Sequence, residues 1–177
     1  HNCNFILHEW LSGLYHAKVM NLYERHGNMI KIATLADFCG TRWTVNAVML
    51  GSPRQRPFLM PVGVIGRLYR KHIGEFGVEV PSRIGSLDLA ASLTGNRLFL
   101  HVVNEDLHRS QRLEVEIEGS KVVTGKAFEI APKSVSTYVH FDEPNALDPI
   151  ERDVSGGTSV KWRFPPASVT VLELELC

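Results

Sequence analysis

Apolar and polar positions follow two different periods along the chain. From about residue 5 to residue 26, Leu7, Leu11, Leu14, Tyr15, Val19 and Leu22 recur at helical spacing. Gly27 then supplies the left-handed residue with which helices commonly end. Arg25 and His26 put positive charge in the last turn, where the helix dipole favours it. Residues 29–36 are a short, mostly apolar run directly after this helix end, which predicts a strand buried on both faces, as in a parallel sheet. A helix closely followed by such a strand is half of an α/β repeat. Residues 51–57 are a loop by composition. Pro61 stands where a first helical turn accepts proline, and Val62, Ile65, Leu68, Tyr69 and Ile73 form the next helical stripe, with Arg67, Arg70 and Lys71 on its polar side. Gly74 and Gly77 end it.

From Val78 onward the period is two. Leu98, Leu100 and Val102 alternate with Phe99, His101 and Val103, and Leu113, Val115 and Ile117 alternate with Glu114, Glu116 and Glu118. The three glutamates mark a solvated sheet face and discourage edge-to-edge pairing. Further strands are predicted over 87–93, 122–130, 136–141, 159–164 and 169–176, separated by turn residues at 94–96, 118–120, 143–145 and 156–157. Short strands at this spacing predict a β-sandwich, and the change of period places a boundary near 77–86.

Composition narrows the function classes. The chain has 177 residues, 44% hydrophobic and 21% charged, so it can bury a core and lacks the composition of a disordered segment. Lys plus Arg and Asp plus Glu number 19 each, and a balanced charge provides no long-range attraction to nucleic acid or anionic lipid. No apolar run is long enough to span a membrane. The start, His1-Asn2-Cys3-Asn4, has no signal-peptide pattern and no initiator Met, so processing or truncation is expected upstream, and no compartment is assigned. Cys3, Cys39 and Cys177 make neither a disulfide framework nor a Cys-x-x-Cys pair. The 8 histidines contain no His-x-x-x-His pair, so no metal site is expected. Neither a nucleophile elbow nor a phosphate-binding glycine loop is present.

The order of elements, together with specific stretches, resembles the C-terminal part of the glycoside hydrolase family 51 α-L-arabinofuranosidases. His26-Gly27-Asn28-Met29-Ile30-Lys31-Ile32-Ala33-Thr34-Leu35-Ala36-Asp37 is similar to the family's last barrel strand and its approach, and Thr41-Arg42-Trp43-Thr44-Val45-Asn46-Ala47-Val48 to the loop after it. Leu87-Asp88-Leu89-Ala90-Ala91-Ser92 and Leu100-His101-Val102-Val103-Asn104 are similar to the first strands of the C-terminal sandwich, and Trp162-Arg163-Phe164-Pro165-Pro166-Ala167-Ser168-Val169 to its closing strands. The resemblance implies an α/β then all-β chain. Residues 1–77 would be the last βα elements of a (β/α)8 barrel, and residues 78–177 a jelly-roll-like antiparallel β-sandwich.

It also implies hydrolysis, with retention, of terminal α-L-arabinofuranosyl groups on arabinan, arabinoxylan or their oligosaccharides. One Glu attacks the anomeric carbon; a second protonates the leaving oxygen and then activates water. No cofactor is implied. In the family both glutamates come from earlier barrel strands, so this chain is expected to contain no catalytic pair, to be inactive alone, and to need the remaining N-terminal part of the enzyme. Family members commonly form oligomers, which adds a homo-oligomer to the expected partners.

Glu9 is a weak catalytic candidate. Glu9-Trp10 matches a nucleophile followed by Trp, but the helical stripe begins at once, and an exposed helix glutamate is the simpler reading. Asp37 follows the predicted strand at the mouth of the implied barrel. There it either bonds a sugar hydroxyl, orients a catalytic group, or caps the next turn. Arg42 and Trp43 either line a sugar subsite or, for Trp43, pack in the core. Asn46 either binds a hydroxyl or holds its loop. The competing reading is a non-catalytic sandwich that binds carbohydrate or acts as a scaffold. Such modules present an exposed aromatic row, and this sandwich offers only Phe99, Phe128, Tyr138, Phe141, Trp162 and Phe164.

Overall fold

The computed structural model describes residues 3–34, 38–41, 46–51 and 55–177, with backbone only for 3–5. A 3-10 turn (Cys3–His8) leads into helix α1 (Trp10–Arg25). Three two-residue strands follow, β1 (Cys39–Gly40), β2 (Val48–Met49) and β3 (Phe58–Leu59), and then helix α2 (Pro61–Lys71). The remainder is β: β4 (Phe76–Val78), β5 (Arg83–Ile84), β6 (Leu87–Thr94), β7 (Arg97–Asn104), β8 (Gln111–Glu116), β9 (Val122–Ile130), β10 (Ile150–Gly157), β11 (Ser159–Phe164) and β12 (Ser168–Leu176).

The main sheet is antiparallel throughout, in the order β10-β9-β12-β7-β6-β4, with β5 also paired to β6. The last strand, β12, is therefore central, which explains its nearly continuous burial. Alternation along β12 divides two cores. Val169 and Val171 join Trp10, Leu14, Ile65, Leu68 and Tyr69 on the helical side. Leu172 and Leu174 join Leu89, Leu100, Val160 and Phe164 on the other side, which the β8–β11 ribbon covers. The molecule is thus layered as helices, sheet and ribbon, and the helical core runs without a break from residue 10 to residue 171.

Helix α2 begins at Pro61, as its stripe predicts, with Val62, Ile65, Leu68 and Tyr69 buried. Ile73 lies past the helix and is exposed. Gly63 meets the Ala47 backbone so closely that a Cβ there would strike the Ala47 carbonyl, and Met60 N–H donates to that same carbonyl at 3.0 Å. Strands β9 and β11 occupy the predicted ranges, and β6, β7, β8 and β12 lie within a residue or two of theirs.

Four expectations are corrected. Of the strand predicted at 29–36, residues 29–34 form none; Met29 and Ile32 are 71% and 81% exposed, and the rest lies outside the described residues. Helix α1 buries Trp10, Gly13, Leu14, Ala17 and Asn21; of the predicted stripe within it only Leu14 is fully buried, and Leu11, Tyr15 and Leu22 are exposed. Small residues at 13 and 17 let α1 approach α2 closely: a Cβ on Gly13 would come 3.2 Å from Pro61, and the Tyr69 hydroxyl reaches the Ala17 carbonyl. Residues 136–141 form only an isolated bridge, Tyr138 to Glu9. Their region serves the helix instead: Trp10 N–H donates to the Thr137 carbonyl (2.8 Å) and Leu11 N–H to the Val135 carbonyl (2.9 Å). This satisfies amide groups that a helix start leaves without partners. Strand β10 was not anticipated, because only Val154 of it is buried; it is a charged edge strand.

Candidate functional site

The sequence candidates converge on the segment between α1 and α2. Asp37, Arg42 and Trp43 lie outside the described residues. The described residues of this segment form a three-stranded sheet in which β1 pairs parallel to β2 and β2 antiparallel to β3. Asn46 precedes β2 by two residues and is fully buried. Gly40 lies against it: a Cβ there would come 2.9 Å from the Asn46 side-chain nitrogen. Asn46 is thus packed against Gly40 of β1. Glu9 is at the N-cap of α1, with extended backbone and no side-chain capping bond. It is partly exposed and bridges to Tyr138. Among the described residues no group of His, Cys, Asp and Glu could hold a metal ion, and no helix is long and apolar enough to cross a membrane. Of the aromatics named for the sandwich, Phe99 and Phe164 are buried, Phe128 packs on His72, Trp162 is partly buried, and the exposed Tyr138 and Phe141 lie outside the strands.

The sequence reading missed a polar cluster between the helices and the sheet. Asn21 and Arg25 of α1, four residues apart, both reach Asp88 of β6. Asn21 Nδ2 donates to Asp88 Oδ1 at 2.7 Å, and the Arg25 guanidinium donates to both carboxylate oxygens at 2.9 and 3.2 Å. The guanidinium also donates to the Leu89 carbonyl at 2.6 Å. Tyr69 of α2 donates toward Asn21 Oδ1 (2.6 Å) and the Ala17 carbonyl (3.1 Å), and its ring stacks on His101 of β7 at 4.2 Å. His101 Nδ1 lies 2.8 Å from Glu24 Oε2, close but not aligned as a hydrogen bond. The available signal was Asn21 and Arg25 falling in line with Leu14 and Ala17 on one helix face.

This cluster confers a pH dependence. Burial first, then the nearby Glu24 and Asp88 charges, hold the Tyr69 phenol well above the ordinary 10.0, with Arg25 acting in the opposite sense. The folded state keeps a proton that the unfolded chain gives up near that value. The resulting stability is complete below it and is lost as pH rises beyond it. Urea midpoints are expected to fall above about pH 10, and the fall is expected to be shallower in Tyr69→Phe; equal slopes would locate the alkaline sensitivity elsewhere.

A scan against protein-family models and a search of curated proteins each find no match. Solved structures do match. The family 51 α-L-arabinofuranosidase of Thermotoga petrophila RKU-1 superposes with TM-score 0.82 at 20% identity, over 96% of this chain and 39% of its own. An α-L-arabinofuranosidase of Thermotoga maritima, in complex with arabinose, gives 0.80 at 21%, over 94% and 38%. A xylanase of glycoside hydrolase family 30 from Clostridium acetobutylicum is less similar, at TM-score 0.63 and 12% identity. The chain spans about two fifths of the length of the two Thermotoga enzymes. At these identities the likeness is one of fold, and the chain has the fold of part of a glycoside hydrolase family 51 α-L-arabinofuranosidase.

Proposed function

We propose that the chain is the C-terminal part of a retaining α-L-arabinofuranosidase acting on terminal α-L-arabinofuranosyl groups of arabinan- or arabinoxylan-type substrates. The observation that carries this reading is a fold match over 96% of the chain that occupies 39% of the matching enzyme. On this reading residues 1–77 contribute the end of the catalytic barrel, residues 78–177 are the sandwich packed on it, and the two catalytic glutamates are on the remaining N-terminal part. Asp37, Arg42 and Trp43 would then border the sugar, with the buried Asn46 anchoring the chain that follows them. A second feature supports a missing partner. The outer face of α1 exposes Leu11, Tyr15 and Leu22, and Met29, Ile32 and Phe38 are exposed in the segment that follows. Apolar surface of this extent marks a contact with other protein.

The test is release of p-nitrophenol from p-nitrophenyl α-L-arabinofuranoside. The chain alone is expected to be inactive, and addition of the polypeptide encoded upstream is expected to restore hydrolysis. Activity of the 177 residues alone, abolished by Glu9→Gln, would overturn the reading and make Glu9 catalytic. No activity with the upstream polypeptide present would also count against it.

A further inference from the structure

The ribbon of β8 and β11 is two strands wide and covers only part of the main sheet. At its margin, on the side of the sheet away from the helices, an open cleft of about 480 Å³ is lined by Ser110, Glu129, Arg152, Trp162, Arg163 and Pro165. Its polar groups are incompletely matched. Glu129 of β9 is only 5% exposed, yet its one charged partner, Arg152 of β10, is 3.5 Å away and half exposed. The Trp162 indole N–H is buried without an aligned hydrogen-bond acceptor, although it lies near enough to Glu129 to favour the charged carboxylate. Burial outweighs both neighbours and raises the Glu129 pKa above the ordinary 4.5. The Glu129–Arg152 pair lines the cleft at a separation too long for a tight hydrogen bond, which leaves both donor and acceptor capacity for a ligand.

We propose that this cleft binds a neutral saccharide, with hydroxyls bonded by Glu129 and Arg152. Sugar hydroxyls donate and accept at once, which suits a carboxylate beside a guanidinium. An anionic ligand suits the cleft less well. Glu129 forms its floor, Arg152 already faces that carboxylate, and the remaining cation, Arg163, is exposed to solvent and screened. The site is independent of the enzyme reading, because it involves none of the residues proposed for hydrolysis and is tested by binding.

Calorimetric titration of the full chain with xylotetraose as the probe is expected to give saturable binding. Glu129→Gln and Arg152→Ala should each weaken it about tenfold, the loss of one hydrogen bond to a charged group. Gln keeps the shape of Glu129 while removing a charge that burial already disfavours, and Arg152 is half exposed, so both variants should keep the parent's circular dichroism and unfolding midpoint. No saturable binding, or binding unchanged in both variants, would overturn the proposal. Tighter binding of trigalacturonate than of xylotetraose would overturn the assignment to a neutral sugar.

Discussion

Trp10→Ala is expected to lower folding stability by about 3–5 kcal/mol, the usual cost of emptying a large buried aromatic site. Trp10 is fully buried at the first position of α1, among Leu14, Met60, Ile65 and Val169. It also ties three parts of the chain together. Its indole N–H donates to the Ala167 carbonyl, and its backbone N–H donates to the Thr137 carbonyl. Ala167 itself holds φ at 46°, a conformation that costs a non-glycine residue about 1–2 kcal/mol. It keeps that shape while its own N–H donates to the Asp106 carbonyl and the indole holds its carbonyl. Loss of the indole therefore removes core volume and one of the two restraints on a strained turn. Urea denaturation followed by circular dichroism is the measurement. Trp10→Phe, which keeps most of the volume but not the donor, should fall between wild type and Trp10→Ala. A loss below about 1 kcal/mol, as a surface substitution gives, would mean that α1 does not depend on this anchor.

The β part of the fold was legible because each of its main strands carries its own signal. In β8 and β9 the alternation is written in the residues, and the turn at Gly119 separates them. In β6, β7 and β12 both faces are covered, by helices on one side and ribbon on the other, and the strands read as apolar runs. Where the signal is tertiary, the sequence was silent or misleading. Nothing in Ile150–Gly157 shows that β9 offers a free edge to pair with. Nothing in residues 134–139 shows that their carbonyls will be taken by the start of a helix 125 residues or so earlier in the chain. In α1 the larger apolar residues lie on the outer face, so the strongest hydrophobic stripe pointed away from the core that forms within this chain. That mismatch agrees with a helix built to be covered on both sides. The candidate site was the least legible part, because its residues were chosen by position after a strand that does not form over residues 29–34.

Asp88→Ala is expected to cost roughly 3 kcal/mol, at the lower end for breaking a buried ion pair because Arg25 keeps some contact with water. Asp88 is the point where α1 is fastened to β6. It accepts from the Asn21 amide and receives both arms of the Arg25 fork. Removing it leaves the guanidinium with the Leu89 carbonyl as its remaining acceptor, and leaves one Asn21 donor with only the Asp88 backbone carbonyl at 3.1 Å. An uncompensated cation in a low-dielectric contact is more costly than no ion at all. The decisive comparison is therefore a double-mutant cycle with Arg25→Met. The double variant should be less destabilised than the two single losses added together, by about 1 kcal/mol or more. Agreement with simple additivity to within about 0.5 kcal/mol would show that water screens this pair and that packing around Trp10 and Ala17 alone holds α1 in place. A clear coupling would instead assign the seating of the inner face of α1, and with it the outward presentation of Leu11, Tyr15 and Leu22, to three polar side chains that hydrophobic periodicity does not register.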